Sequence, residues 1–527
     1  MATPSVSLEK KVYRNAFYSG AYHLWYLGTR LLITPLVLTY VSLEEYGLWA
    51  YCFVLLGYIG LAANGFSGAY LKYGAHHRAT GNNQGINVLL STGVITLLAL
   101  SLILAPLLYW TLPYFLHWLI TDPSLLESGW TLLLGAGIIF IINFTLSGFQ
   151  NILEGDQRTD LVRKIHFAAS ILELALMVAL LQMGLGVMAL LIAYGARFVL
   201  ILCLNIFWAY RLFPFLSLRF SLFSRKVLKQ FFVFGGQIQL IGVITLLMHS
   251  LDRLVLSKVL GMEAVGMYEV GRKLPNTGMA LPSSMAGVLM PAAANLQSRN
   301  EPDRIKKLYL HATRYLMMIS VLPYLFLMFY SPQIISVWLG GDFAVSANVM
   351  QVLALGILVN LTTGIGTACV RGLGQPIMEI RYLLVSLAIF ALTLFPAISK
   401  LGMVGVAYAF TIAQTIGSIV FLIQANQSFQ VTGREFFSFV IKPLAIAFFA
   451  FLPVCFLGHW VWAVYVPGRA MGLIILAALF CASLLAVGGT LWFGKEYFLL
   501  KNEVLRVRAW LATIQIFPSK NKQWTAT

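Results

Sequence analysis

At 527 residues, 59% of them hydrophobic and only 10% charged, with a mean hydropathy of +0.83, the chain is too apolar for a soluble globular protein, which carries about 25% charged residues. About fourteen segments of roughly 22 residues, each able to cross a ~30 Å hydrocarbon core, use most of the length and leave little for a soluble domain. The net charge of +17 does not mark a nucleic-acid binder, because the basic residues fall in short loops on alternate sides of those segments.

The N-terminus is polar through Arg14 and lacks a cleavable signal pattern, so the first span is expected to stay in the mature protein. Hydrophobic runs predict spans at 16–41, 47–67, 88–112, 130–152, 165–183 and 187–208. After a basic stretch they resume at 231–258, 264–292, 312–331, 346–368, 382–398 and 403–424, and two more follow at 443–466 and 470–493. Most of the 36 basic residues then lie on the side of the N-terminus, among them Lys10, Lys11 and Arg14, Arg211 to Lys229, Arg299 to Arg314, and the tail from Lys495. The opposite loops carry Glu44, Glu45, Asp122, Glu127, Glu263 and Asp342, which predicts that both termini are cytoplasmic. The outer stretches 113–129 and 332–345 are each expected to hold a short interfacial helix, with Trp118 and Trp338 as headgroup anchors. Cys52, Cys203, Cys369, Cys455 and Cys481 are scattered without CxxC spacing and suggest neither a disulfide framework nor a zinc site.

An internal repeat divides the chain. Leu36–Thr39 resembles Leu254–Ser257, 218 residues later, and Glu45–Trp49 resembles Ala264–Tyr268 with one residue inserted. Gly148, Gln157 and Arg163 pair at the same offset with Gly366, Gln375 and Arg381, as do Gly184 and Gly402. Matches in register, each at the same point of a six-span unit, point to duplication. Each unit enters and leaves on one side, so the halves are expected to be parallel repeats with a central site between them. The expected units are an N lobe at 1–208, an amphipathic linker at 209–230, a C lobe at 231–424, and two further spans with a basic tail at 425–527. The linker sets Phe213, Phe215, Phe220 and Phe223 beside Arg219, Arg225, Lys226 and Lys229, a pattern that predicts a segment lying on the inner leaflet.

The chain is organised around Leu251–Leu281, two apolar helices joined by a Gly-containing bend and carrying Asp252, Arg253, Glu269, Arg272 and Lys273. Its DRLVLSKVLGMEAVGMY sequence, the VRGLGQP sequence at Val370–Pro376 and the twice-six-plus-two organisation resemble the polysaccharide-transporter branch (Wzx-type oligosaccharide flippases) of the MOP superfamily, from about residue 10 to 495. The resemblance implies an all-α polytopic membrane protein that moves undecaprenyl-pyrophosphate-linked sugars between leaflets by alternating access. It implies no enzymatic activity and no cofactor, with a coupling cation, H+ or Na+, left open. The implied partners are the lipid-linked oligosaccharide, membrane lipid and a glycan polymerase, with the chain itself expected to be a monomer. The 14-span count also fits the lipid II flippases, where arginines on the first and eighth spans line the cavity and the last two spans form a groove for the prenyl tail. Here 443–466 could form that groove or pack inertly.

Charges within apolar spans are costly and usually face a partner or a water-filled cavity. Arg30 sits near the middle of the first span, Arg272 and Lys273 two turns into the eighth, and Asp252 and Arg253 near the end of the seventh. If these spans line the cleft, it is net positive, and a guanidinium fork suits phosphate oxygens. Arg30, Arg272, Lys273, Arg253, Asp252, Asn64 and Asn360 are therefore the candidate substrate-binding residues. The structural alternatives are a Glu269–Lys273 pair four residues apart on one helix face, an outer-interface cap by Asp252 and Arg253, and a Glu173–Arg197 pair within the N lobe. Asn64, Asn143, Gln237, Gln239, Asn360 and Gln414 could meet sugar hydroxyls or join helices. Pro35, Pro275, Pro282 and Pro291 make the first and eighth spans candidates for bends. A multidrug cation antiporter would need unpaired intramembrane carboxylates, whereas each acid here has a base nearby. A glycan polymerase or ligase would need a sizeable outer loop, and no Walker-type loop is present.

Overall fold

The computed structural model describes residues 8–493, apart from 121, 157, 280–288, 291, 295, 298, 466 and 467. Of the residues singled out above, Pro282, Pro291 and the tail lie outside the described residues, as do the side chains of Lys10, Lys11, Arg14, Asn64, Gln237 and Gln239. The described residues are helical with no strand. In chain order the helices are α1 (Leu8–Tyr40), α2 (Leu43–Ala79), α3 (Asn83–Leu119), α4 (Ser124–Thr145), α5 (Ser147–Gly155), α6 (Thr159–Gln182) and α7 (Met188–Leu212). They continue with α8 (Arg225–Thr277), α9 (Pro302–Trp338), α10 (Ala344–Leu361), α11 (Gly364–Gly372), α12 (Ile377–Ser428), α13 (Lys442–Tyr465) and α14 (Arg469–Phe493). Among the described residues ten helices are long and apolar enough to cross a membrane.

α8 and α12 each cross twice, because one glycine breaks each: Gly261 (φ 86°, ψ 178°) and Gly402 (φ 57°, ψ −139°). A side chain would be strained at either φ, so the chain reverses there without a loop. The limbs of α8, 225–260 and 262–277, are the seventh and eighth spans of the sequence; those of α12 are the eleventh and twelfth. Conversely, the spans expected at 130–152 and 346–368 are each broken into a long and a short helix, α4–α5 and α10–α11, at matching points of the two halves. The repeat is thus visible in backbone geometry, and the architecture is two parallel-related six-helix lobes plus two C-terminal helices.

Local sequence explains the helix ends. Ser42 and Glu45 cap each other at the start of α2, with Ser42 N donating to Glu45 Oε2 and Glu45 N to Ser42 Oγ, both at 3.2 Å. Thr432 and Glu435 repeat this capping box before the short helix Gly433–Phe436 and the π-helical Phe437–Ile441 that lead into α13. Asn82 caps α3 by accepting from Gly85 N at 2.7 Å, and Pro302 opens α9 where its missing N–H costs nothing.

Below, the near face is the one where α1 begins, and the far face carries the bends at Gly261 and Gly402. At the far face α2 crosses the second limb of α8 backbone to backbone. A Cβ on Gly47 would stand 2.1 Å from the Met262 carbonyl oxygen, and one on Gly266 would stand 2.3 Å from the Leu43 carbonyl oxygen. Lipid gives helices no hydrophobic reason to associate, so such small-residue contacts carry the packing. Buried Leu48, Tyr51, Leu256, Val265 and Tyr268 fill the seam around this crossing. α13 and α14 pack on α9 through Phe326, Tyr330, Phe451, Cys455 and Leu479, with Tyr330 Oη donating to the Val454 carbonyl at 3.1 Å.

One expectation is corrected. The outer stretch 113–129 forms no separate interfacial helix, because α3 runs unbroken to Leu119, whereas at 332–345 a kink at Tyr330 (φ −110°, ψ 15°) sets off a short last segment of α9 that ends at Trp338. Trp338 instead donates its indole N–H to the Leu31 carbonyl of α1 at 2.9 Å, joining the lobes. The linker at 209–230 is divided among three segments. Its first residues finish α7, its last begin α8, and 213–224 lie along the start of α3 with one helical turn, Phe220–Leu222. The Asn87 amide donates to the Phe215 carbonyl at 2.9 Å and accepts from Ser217 N at 3.0 Å, and Thr92 Oγ1 accepts from Ser224 N at 3.0 Å. Phe213 and Leu216 are buried, and Phe220 is exposed.

Candidate functional site

A stripe of polar and aromatic side chains at four-residue spacing runs along α1: Tyr22, Tyr26, Arg30 and Thr34. That spacing puts them on one helix face, and the N lobe closes on it. Arg30 Nη2 donates to both carboxylate oxygens of Glu173 in α6, at 2.6 and 2.7 Å. Arg197 of α7 reaches the same carboxylate at 3.3 Å and donates to Tyr22 Oη at 3.1 Å. Both guanidiniums lie over the Tyr26 ring, 4.9 and 5.1 Å from its centroid. The expected Glu173–Arg197 pair is present, but it is one edge of a triad in which two cations share one carboxylate. The cluster therefore keeps one positive charge in excess. Arg30, with its side chain 27% exposed, is the more open of the two cations.

The second cluster belongs to α8. The bend at Gly261 folds its second limb back on its first, bringing Asp252 and Arg253 against Glu269 and Arg272. Arg272 Nη1 donates to Asp252 Oδ2 at 2.7 Å, with both side chains almost wholly buried. Glu269 Oε2 lies 3.7 Å from Arg253 Nη1 and 3.9 Å from Arg272 Nε. Arg253 also donates to the His249 carbonyl at 3.0 Å. Two acids meet two arginines, so this cluster is neutral.

Lys273 stands outside that balance. The Glu269–Lys273 pair read from their spacing does not form, because Glu269 turns toward the two arginines. Lys273 Nζ instead crosses to the N lobe and donates to Thr34 Oγ1 at 2.6 Å and to Tyr46 Oη at 2.8 Å. Among the described residues no carboxylate lies within ion-pair distance of it. Thr34 Oγ1 in turn donates to the Arg30 carbonyl at 2.7 Å, so Lys273 and Arg30 are one helical turn apart along α1.

The sequence-derived candidates therefore divide. The structure brings Arg30 and Lys273 together at the seam between the lobes. Asp252, Arg253 and Arg272 are bound to one another inside α8, rather than capping or reaching the outer interface. Asn360 donates to Gln414 Oε1 at 3.2 Å and lies 3.5 Å from Ser418 Oγ, so its amide joins α10 to the second limb of α12. Asn143 donates to its own helix at the Ile139 carbonyl. Asn64 is on α2, its side chain outside the described residues. Sequence reasoning missed Tyr22, Tyr26, Thr34 and Tyr46. The four-residue stripe on α1 was the available signal for the first three; for Tyr46 there was none.

The fold and this paired-cation seam define a polytopic membrane protein of two lobes, and comparison with known proteins places it further. The profile of the polysaccharide biosynthesis protein family matches residues 40–348, more than half of the chain, and the chain belongs to that family. It is 22% identical over 200 residues to a Shigella flexneri protein named as an O-antigen transporter, covering 38% of this chain and 47% of that one. It is 25% identical over 206 residues to an uncharacterized membrane protein of Methanocaldococcus jannaschii, covering 37% and 39%. The chain thus spans less than half the length of these relatives. Among solved structures, the lipid II flippase MurJ in an inward closed conformation superposes with a TM-score of 0.67 at 12% identity, over 89% of this chain and 98% of that one. A multidrug resistance MATE family transporter of the MOP superfamily, facing inward, gives 0.64 at 17% identity, over 78% and 94%. At these identities the likeness is one of fold.

Proposed function

We propose that this protein is a flippase carrying a polyprenyl-pyrophosphate-linked oligosaccharide across the bacterial inner membrane by alternating access between its two lobes. The observation that carries the reading is the positive charge left over at membrane depth on both sides of the seam. Glu173 balances only one of its two arginines, and Lys273 is held by hydroxyls alone. An uncompensated cation in a low-dielectric site is costly and is best met by an anion. A pyrophosphate oxygen would replace hydroxyls as the acceptor for Lys273 while Arg30 offers its free fork edge. The near face, which carries most of the basic residues, would be cytoplasmic. The prenyl chain would stay in lipid, and membrane potential or a coupling cation, H+ or Na+, would bias the cycle by ~2.3 kcal/mol per charge per 100 mV. No bond in the substrate needs to break. The acids of the two clusters are all engaged by arginines, which disfavours exchange of protons for cationic drugs.

The test is translocation of a fluorescently tagged undecaprenyl-pyrophosphate oligosaccharide in proteoliposomes, comparing wild type with Arg30→Gln and Lys273→Gln. Arg30→Gln leaves Glu173 its pair with Arg197, so the N lobe keeps its charge balance. Transport is expected to fall at least tenfold in each variant. Wild-type rates in both would remove the seam as the headgroup site, and no wild-type transport of any lipid-linked glycan would redirect attention to a soluble cationic substrate.

A further inference from the structure

Lys273 joins two parts of the molecule that alternating access must separate. It sits on the second limb of α8, seven residues beyond Gly266, so about 10 Å below the glycine crossing at the far face. Its acceptors are both on the other lobe: Thr34 on α1 and Tyr46 on α2. Tyr46 is the immediate neighbour of Gly47, whose α-carbon lies against the Met262 carbonyl. Tyr46 itself is buried, and the Lys273 ammonium lies 5.4 Å from its ring centroid. The starts of α2 and of the second limb of α8 therefore make a close backbone contact between the lobes, and Lys273 bridges the lobes below it, as Lys258 does at the far face by donating to the Trp118 carbonyl at 2.7 Å. The acceptors of Lys273 are neutral hydroxyls. The ammonium's bonds to these hydroxyls leave its charge uncompensated, whereas a phosphate oxygen supplies the opposite charge in a short N⁺–H···O⁻ bond, so a phosphate oxygen reaching this seam competes with both.

We propose that Lys273 is a latch on the far-face gate. Bound to Thr34 and Tyr46 it holds the gate shut, and an anionic headgroup entering at Arg30 draws the ammonium away and lets α2 part from α8. The proposal rests on the flippase reading and adds to it the step by which occupancy opens the gate. A ligand shifts a two-state equilibrium only through differential contact with the two states, and here the differential contact is the exchange of Lys273's partners.

The experiment measures distance across the far face by pulsed electron spin resonance in nanodiscs, with spin labels at Thr39→Cys on α1 and Val259→Cys on α8. The exposed native Cys203 and Cys481 are replaced by serine so that they carry no label. The probe is undecaprenyl pyrophosphate without sugar, with undecaprenol as its uncharged control. In the wild type, undecaprenyl pyrophosphate is expected to move the population from the short to the long distance, and undecaprenol is not. The double variant Thr34→Val, Tyr46→Phe, nearly isosteric and therefore the form most sure to fold, is expected to show at least a threefold larger open population with no ligand and still to respond to the pyrophosphate. Lys273→Gln is expected to be open without ligand and unresponsive; Lys273→Arg is expected to restore the response. An unchanged closed population in the double variant, or a full response in Lys273→Gln, overturns the latch even if transport stands. A wild type that ignores the pyrophosphate lipid while the double variant opens overturns the ligand, and with it the flippase reading, but not the contact between Lys273 and the gate.

Discussion

The two charge clusters are built on opposite plans. In the N lobe, Arg30, Glu173 and Arg197 come from α1, α6 and α7, so one carboxylate ties three helices into a unit. In the C lobe, Asp252, Arg253, Glu269 and Arg272 all come from α8, and the network ties one bent helix to itself. Lys273, next to that network, leaves the helix to cross the seam, as Lys258 does at the far face. The contrast separates two uses of buried charge. A network shared among helices of one lobe makes that lobe rigid. A network closed within one element lets the element move as a body and leaves Lys273 outside its charge balance.

The sharpest way to break the first plan is Glu173→Gln, which strands two guanidiniums at membrane depth. Removing one partner of a buried pair costs about 3–5 kcal/mol, so a large fall in the thermal unfolding midpoint in detergent is expected, with Arg30→Gln restoring part of it in the double variant. Asp252→Asn tests the second plan and should cost less, about 1–3 kcal/mol, because Glu269 remains 3.9 Å from Arg272 to take over. A loss as large as that of Glu173→Gln would mean that α8 is as rigid as the N lobe. Gly47→Ala sharpens the contrast from the seam. Its methyl would collide with the Met262 carbonyl in the closed state alone, so an overpacking cost of about 1–3 kcal/mol should appear as slower disulfide trapping between cysteines set across the far face. Least affected should be Lys306→Gln. The Lys306–Glu435 pair, at 2.9 Å, lies outside both clusters with Glu435 exposed, and exposed pairs are worth little, so the unfolding midpoint should not move measurably.

Much of this architecture was legible because membrane spans and repeats are written in local composition. Fourteen crossings, the lobes, the Gly-containing bend of α8 and the Glu173–Arg197 pair follow from runs of apolar residues and from depth along consecutive antiparallel spans. The partners of Arg30 and Lys273 did not, since each lies on an element far along the chain: Glu173 is 143 residues from Arg30, and Thr34 is 239 from Lys273. The four-residue spacing of Glu269 and Lys273 pointed to a local pair, yet the fold-back at Gly261 offered Glu269 two arginines instead. The interfacial helix expected at 113–129 failed for a different reason. α3 continues past the apolar stretch that marks it, and hydropathy has no means of showing where a helix that outruns its apolar run will stop.

The glycine crossing has a further consequence. Gly47 and Gly266 are corresponding residues of the two repeats, as are Leu43 and Met262, and each glycine faces the carbonyl belonging to the other's partner. A contact in which one patch meets its own equivalent is isologous, the form a twofold homodimer takes. A six-span protein carrying a single copy of this sequence would meet a second copy through this same patch. The seam within one chain therefore retains the form of a subunit interface that fusion of the two genes made permanent. Only after that fusion could the halves diverge, one keeping its charges for cohesion and the other releasing a lysine across the join.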